Sequence, residues 1–200
     1  MKRHVAILIF PDVEILDFAG PFEVFSATDE LAGGQLFHSF TVAELPGSVR
    51  ARNGLKIVPD FTLESAPQPH LLVIPGGAGT RPLLQRPLLL EWIRQRHRRT
   101  EHTLSVCTGS LLLAKAGLLN GLRATTHRDC LAELAALAPD TTIDATARFT
   151  NNGQILTSAG ISAGLDVSLH VVAQLHGEDV AKKTARYMEY HWNNDGGIQR

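Results

Sequence analysis

Val5-Ala6-Ile7-Leu8-Ile9-Phe10 is an unbroken apolar run of strand length, the pattern of a β-strand buried on both faces. The periodicity then changes. Between Pro11-Asp12 and Phe25, the residues Ile15, Phe18, Phe22 and Phe25 recur at helical spacing. This predicts a helix that Gly20-Pro21 should interrupt or kink, because proline lacks the N–H that the helical ladder needs. Phe37 to Glu44 reads as a second strand, and residues 46–69 as a connection rich in proline, glycine and polar side chains with short extended pieces such as 55–58. Leu71-Leu72-Val73-Ile74 is a third, buried strand that stops at Pro75-Gly76-Gly77-Ala78-Gly79, where glycine permits positive φ and close backbone approach. A helix over 87–98 leads to a fourth strand ending at Val106, and a helix opened by Cys107 runs to Ala116-Gly117. Ala124-Thr125-Thr126-His127 ends a short fifth strand. Helices are predicted over 131–137 and 162–176 with a strand at 154–157 between them, and Leu165, Leu169, Val172 and Leu175 share one face of the longer helix.

Strands alternating with helices predict an α/β fold, a flavodoxin-like three-layer sandwich with a mainly parallel sheet covered on both faces. A chain of 200 residues fits one domain over 1–200. Lys and Arg number 19 against 20 Asp and Glu, so no global charge draws the protein to nucleic acid or an anionic membrane. The basic run Arg94 to Arg99 follows Trp92 and Ile93 on a predicted helix and reads as a solvated face. Two cysteines, Cys107 and Cys130, are too few for a disulfide scaffold and suit a reducing cytoplasm. Met1-Lys2-Arg3-His4 leads into a strand rather than the apolar region of a signal peptide, and no uncharged apolar stretch approaches a membrane span. The expectation is a cytoplasmic protein with a small-molecule substrate.

The chemistry concentrates at Leu104-Ser105-Val106-Cys107-Thr108-Gly109-Ser110, where an apolar strand becomes a helix at a cysteine. Unpaired N–H groups at a helix start stabilise a thiolate and any oxyanion beside it. Free cysteine is equally at home as a small buried residue, so the neighbours decide. In parallel sheets, reactive groups gather beyond the carboxyl ends of the strands, near the switch in strand order. Asp17 follows the first strand, Gly76-Gly77 the third, Cys107 the fourth and His127 the fifth, four candidate groups converging on one edge. Cys130, on a helical turn without a charge partner, reads as structural. Nine histidines without the spacing of metal ligands make no case for zinc, and no cofactor is expected.

Pro75-Gly76-Gly77, the elbow Ser105-Val106-Cys107-Thr108-Gly109, Ala124-Thr125-Thr126-His127 and Thr157-Ser158-Ala159-Gly160 resemble, in order and spacing, the DJ-1/PfpI superfamily of the glutamine-amidotransferase-like fold. Within it, Ile15 to Pro21, Cys107-Thr108-Gly109 and 157–169 look most like isonitrile hydratases and the amidotransferase-like half of AraC-type regulators. PfpI-type proteases carry a histidine directly after the nucleophile, where this chain has Thr108. Class I glutaminases use a His-x-Glu pair, and here the only one, His176-Gly177-Glu178, falls at a predicted helix end. DJ-1 places a glutamate beside its cysteine, whereas isonitrile hydratases place an aspartate, as Asp17 would.

The resemblance implies a homodimer and a lyase that hydrates an isonitrile to an N-substituted formamide, with Cys107 as nucleophile, Asp17 as proton donor and Thr108 positioning Asp17 or water. It assigns the N–H groups of the Gly76-Gly77 loop and of Thr108 to an oxyanion hole, with His127 as a further candidate for binding substrate. Each residue has a plainer reading: Asp17 as a solvated charge or local cap, Thr108 as an ordinary first-turn residue, Gly76-Gly77 as a turn, His127 as a supporting or dimer-interface residue. Asp17 sits among Ile15, Leu16, Phe18 and Ala19, where an unpaired carboxylate is costly to bury. The competing functions are glyoxalase- or deglycase-type cysteine chemistry, a redox sensor with an oxidisable Cys107, and the ligand-sensing module of a regulator. Against the last, the chain is expected to lack a helix-turn-helix domain.

Overall fold

The computed structural model describes residues 1–192; the expected domain continues to 200, and 193–200 lie outside the described residues. Eleven strands are assigned among these: β1 (Arg3–Leu8), β2 (Phe37–Ala43), β3 (Val49–Arg50), β4 (Lys56–Ile57), β5 (Phe61–Thr62), β6 (Leu71–Ile74), β7 (His102–Val106), β8 (Arg123–Ala124), β9 (Thr142–Ile143), β10 (Phe149–Asn151) and β11 (Ile155–Ser158). The helices are α1 (Ile15–Leu31), α2 (Thr80–Leu83), α3 (Pro87–His97), α4 (Gly109–Lys115), α5 (Leu131–Leu137), α6 (Ala163–His176) and α7 (Glu178–Tyr187).

Seven strands form one sheet in the order β10-β11-β7-β6-β1-β2-β5. All neighbours pair parallel except β10 with β11. Helices α1 and α6 pack on one face, and α4, flanked by α2, α3 and α5, on the other. Every side chain from Val5 to Ile9 and from Leu71 to Ile74 is therefore buried, as unbroken apolar strands require. The chain runs from β1 outward to β2 and returns on the other side of β1 to make β6, so the strand order reverses between β1 and β6. The loops beyond that crevice carry the candidate residues.

Four expectations change. Helix α1 begins at Ile15 and continues through Pro21 to Leu31; Pro21 removes only the N–H that would meet the Asp17 carbonyl, while burial of Val24, Phe25 and Ala27 holds the following turns in place. The strand expected at 124–127 is only Arg123–Ala124, paired with β9 outside the central sheet. Arg94 to Arg99 is not a simply solvated face: Arg94 donates to the Ala116 carbonyl at 2.8 Å, and Arg96 stacks over Trp92 and donates to the Ala66 carbonyl. Helix α7 has no counterpart in the apolar pattern, because it buries Ala181, Thr184 and Ala185, small residues at helical spacing. Thr28 of α1 and Thr184 of α7 join hydroxyls at 3.0 Å.

Close approach of layers depends on glycine. Gly20 of α1 lies under Leu165 of α6, and Gly164 of α6 lies against Val106 of β7, so α1 and α6 settle directly beside the strand that ends at Cys107.

Candidate active site

Cys107 follows β7 with φ of +53°, a left-handed conformation that strains a non-glycine residue by about 1–3 kcal/mol and persists only where its surroundings enforce it. Here its N–H donates to the Ser158 and Ala159 carbonyls, both at 3.2 Å. Its carbonyl accepts from the Thr126 and Ser110 hydroxyls at 2.9 and 3.1 Å. Gly109 permits the turn, since a Cβ there would overlap the Ile74 carbonyl of β6. The thiol is thus held rigidly over the carboxyl end of the sheet, 6% exposed.

Asp17, in the first turn of α1, is 0% exposed. Its Oδ2 accepts the Gly76 N–H at 3.0 Å, and its Oδ1 has no hydrogen-bond partner among the described residues. Burial pushes the carboxyl up to about 7, reinforced by Glu14 and opposed by the Gly76 N–H and by Cys107. Burial also pushes the Cys107 thiol up to about 12, with the Asp17 charge adding and the N–H groups of Thr108 and Ile161 opposing. The two groups titrate as a pair. Between these values the pair holds one proton and one negative charge, and moving that proton interconverts a thiol with a carboxylate and a thiolate with a carboxylic acid. The second form places a nucleophile beside an acid.

Gly76 makes this approach possible: a Cβ there would stand 2.6 Å from the Thr108 hydroxyl and 2.9 Å from Asp17 Oδ2. Thr108 Oγ1 accepts the Gly77 N–H at 2.9 Å and donates to the Gly77 carbonyl at 3.2 Å. Its hydroxyl therefore fixes the loop whose Gly76 N–H holds Asp17, and it acts on Asp17 through that loop rather than by a direct hydrogen bond. The N–H groups of Gly76 and Gly77, assigned by resemblance to an oxyanion hole, are committed to Asp17 and Thr108, while the Thr108 N–H faces the sulfur. Thr108→Ser is expected to keep turnover within a few-fold. Thr108→Val leaves the buried Gly77 N–H unpaired, a loss of about 1–3 kcal/mol, and turnover should fall about tenfold or more. Steady-state kinetics with melting temperatures checks this; equal rates for the two variants would remove the hydroxyl from the machinery.

A cavity of about 370 Å³ opens over Cys107 and is lined by Thr108, His127, Ile161, Arg81 and Cys130, among others. His127 packs its ring on Gly160, where a Cβ would overlap it, and its Nδ1 accepts the Asp129 N–H at 3.3 Å. Among the described residues it makes no hydrogen bond to Cys107. Sequence reasoning missed Ile161, a β-branched residue at φ of +51° whose N–H faces the sulfur; no residue type signals left-handed backbone at an isoleucine. It also missed Arg81. The expectation that Cys130 has no charge partner is corrected, because Arg81 Nη2 donates to its sulfur at 3.2 Å while pairing with Glu133 at 2.7 Å. Arg81 lies 49 residues upstream of Cys130, so only folding brings the two together. Among the described residues no cluster of His, Cys, Asp and Glu could hold a metal ion, and no helix is long and apolar enough to cross a membrane.

Residues 3–174 match the DJ-1/PfpI family. The chain belongs to the DJ-1/PfpI family. Among curated relatives, an isonitrile hydratase from Pseudomonas putida is 34% identical over 193 residues, 95% of this chain and 79% of that protein. The HTH-type transcriptional regulator GbdR from Pseudomonas aeruginosa is 27% identical; the chain spans about half, 51%, of that regulator's length. Among solved structures, a THiJ/PfpI family protein from Pseudomonas syringae is 31% identical with a TM-score of 0.86, covering 96% of this chain and 77% of that one. Drosophila melanogaster DJ-1beta, at 17% identity and a TM-score of 0.84, covers 96% and 100% and shares the fold. This DJ-1/PfpI chain thus has both an enzyme and regulators among its relatives.

Proposed function

We propose that this chain is a lyase that hydrates an isonitrile, R–N≡C plus water giving R–NH–CHO. The observation that carries the reading is the buried carboxyl of Asp17 beside the Cys107 thiol, pushed up to about 7. An isonitrile's terminal carbon must gain a proton and an oxygen, and an acid adjoining a soft nucleophile supplies the first and prepares the second. The Asp17 proton goes to the carbon as the Cys107 thiolate forms the S–C bond, giving a thioimidate and an Asp17 carboxylate. That carboxylate takes a proton from water as its oxygen adds to the same carbon, and passes it to the nitrogen, leaving Asp17 ionised beside the tetrahedral adduct. Collapse breaks the C–S bond, returns a proton to Asp17 and releases the formamide and the thiolate. In this scheme negative charge develops on nitrogen and sulfur, which suits a loop whose N–H groups already hold Asp17 and Thr108. The reading takes the protein as a cytoplasmic homodimer.

The test is a panel of isonitriles and 2-oxoaldehydes in ¹⁸O-water. Formamide carrying the label in its formyl oxygen is the expected product, because water is the sole oxygen source. Ready consumption of 2-oxoaldehydes with every isonitrile untouched would overturn the hydratase reading. The regulators among the relatives favour a sensing role as the second reading, under which Cys107 binds or is oxidised without isonitrile turnover.

A further inference from the structure

A second cavity of about 370 Å³ adjoins the one over Cys107 and shares His127 and Ile161 with it as walls. Its lining includes Arg128, Arg148, Thr125, Thr126 and Ser162, and no carboxylate residue. Arg148 is held in place by two side chains. Its Nε donates to Asp166 Oδ2 at 2.7 Å and its Nη2 to the Ser162 hydroxyl at 2.9 Å. Asp166, 5% exposed, also accepts from the Tyr190 hydroxyl at 3.0 Å. Asp166 balances the charge of Arg148, and Arg128, on the exposed rim, pairs only loosely with Asp129 at 4.0 Å. The wall itself thus carries two guanidinium side chains and no carboxylate.

The sheet sets the distance between this wall and the nucleophile. The Arg148 carbonyl accepts the Ala159 N–H at 2.9 Å, and the Ala159 carbonyl accepts the Cys107 N–H at 3.2 Å. Arg148, Ala159 and Cys107 thus stand side by side at the ends of three neighbouring strands. At the usual strand spacing the outer two backbones are about 10 Å apart, so a short chain attached at the sulfur spans the gap to a guanidinium.

We propose that this second cavity is the subsite for a carboxylate on the tail of the substrate, selected by Arg148 and Arg128. The exposed Arg128 offers a guanidinium fork, which fits a carboxylate better than any neutral end group, while Arg148, its Nε and Nη2 held by Asp166 and Ser162, adds a fixed positive charge deeper in the wall. The isonitrile at the other end rests on the hydratase reading; the charge preference of the cavity does not.

Two arms keep these apart. In the first, ω-isocyano carboxylates of increasing chain length are compared with their methyl esters by kcat/KM. The acid is expected to exceed the ester by about tenfold at one favoured length, the scale of a charge-assisted hydrogen bond. Arg148→Gln should erase that ratio, and Arg128→Gln, at an exposed position that folding does not depend on, should reduce it several-fold by the same charge argument. In the second arm, iodoacetamides bearing ω-carboxyalkyl chains compete with their esters for Cys107, read by mass spectrometry. The S–C bond forms as iodide leaves and the thiol proton passes to water, with no isonitrile involved. Preference for the acid in this arm supports the subsite even if no isonitrile is consumed. Equal labelling by acid and ester at every length, or turnover of both isonitriles at one rate, overturns it and leaves the hydratase reading standing.

Discussion

Cys107→Ala is expected to reduce isonitrile turnover by about 10⁴-fold or more, the loss that follows removal of a covalent nucleophile from a machinery acting as a unit. The substitution should leave the fold intact, because the site's shape is set by the backbone bonds of residue 107 to Ser158 and Ala159 and by Gly109, none of which involves the sulfur. The sharper readout is covalent. Acid quenching during turnover should trap wild-type protein carrying the mass of one whole isonitrile, mapped to the peptide containing Cys107. Cys130→Ala should still show that adduct and Cys107→Ala should not. An adduct on Cys130, whose sulfur the Arg81 guanidinium contacts, would transfer the nucleophile's role to the second thiol of the same cavity.

Asp17→Asn should lower turnover by about 10²- to 10⁴-fold, the contribution of a positioned general acid. The pH dependence identifies the mechanism more closely. In the wild type, protonated Asp17 with a neutral thiol dominates below about 7, so kcat/KM should rise with pH through that value as the pair acquires its single negative charge. In the variant only the thiol titrates. Loss of the Asp17 charge, the second of the causes that raise it, brings the thiol below about 12, and the rising limb should move to the alkaline side of 7. An unmoved limb would mean that Asp17 does not share the proton.

The same substitution carries a stability prediction of known sign. Asp17 ionises at 3.8 when unfolded and at about 7 when folded. Its protonated form is therefore favoured by the fold, and the stability it contributes is full below 3.8 and lost as pH rises through about 7. The amide that replaces it has no charge to bury. At pH 8 Asp17→Asn should melt at a higher temperature than wild type, and the difference should vanish as the pH is lowered towards 4. A less active variant that is more stable is the pattern of a group kept for chemistry.

Much of this site is legible in the chain because the groups that make it follow strands. Cys107 ends an apolar run, Gly76 and Gly77 end another, and Asp17 interrupts an apolar stretch that has no use for a charge. The sequence places Thr108 beside the cysteine, yet its hydroxyl bonds Gly77, a partner 31 residues away that no local pattern names. Gly76 suggests φ freedom when met in the chain; its structural role is the space it leaves between Thr108 and Asp17.

Local sequence determined what local physics controls. The unbroken apolar strands required a sheet covered on both faces, and the alternation with amphipathic helices required parallel connections, so the α/β architecture and the edge bearing the reactive loops follow from periodicity alone. Tertiary structure decided everything that depends on two distant segments meeting. Continuation of α1 through Pro21 rests on burial of its later turns, and the small-residue helix α7 exists by packing on α1 and α6. The left-handed backbone at Ile161, the guanidinium on Cys130 and the alignment of Arg148 with Cys107 are likewise products of strand register and layer packing. The raised carboxyl of Asp17 belongs to the same class: a side chain's solvation is set by what surrounds it, and its surroundings come from loops that only the folded sheet brings to one place.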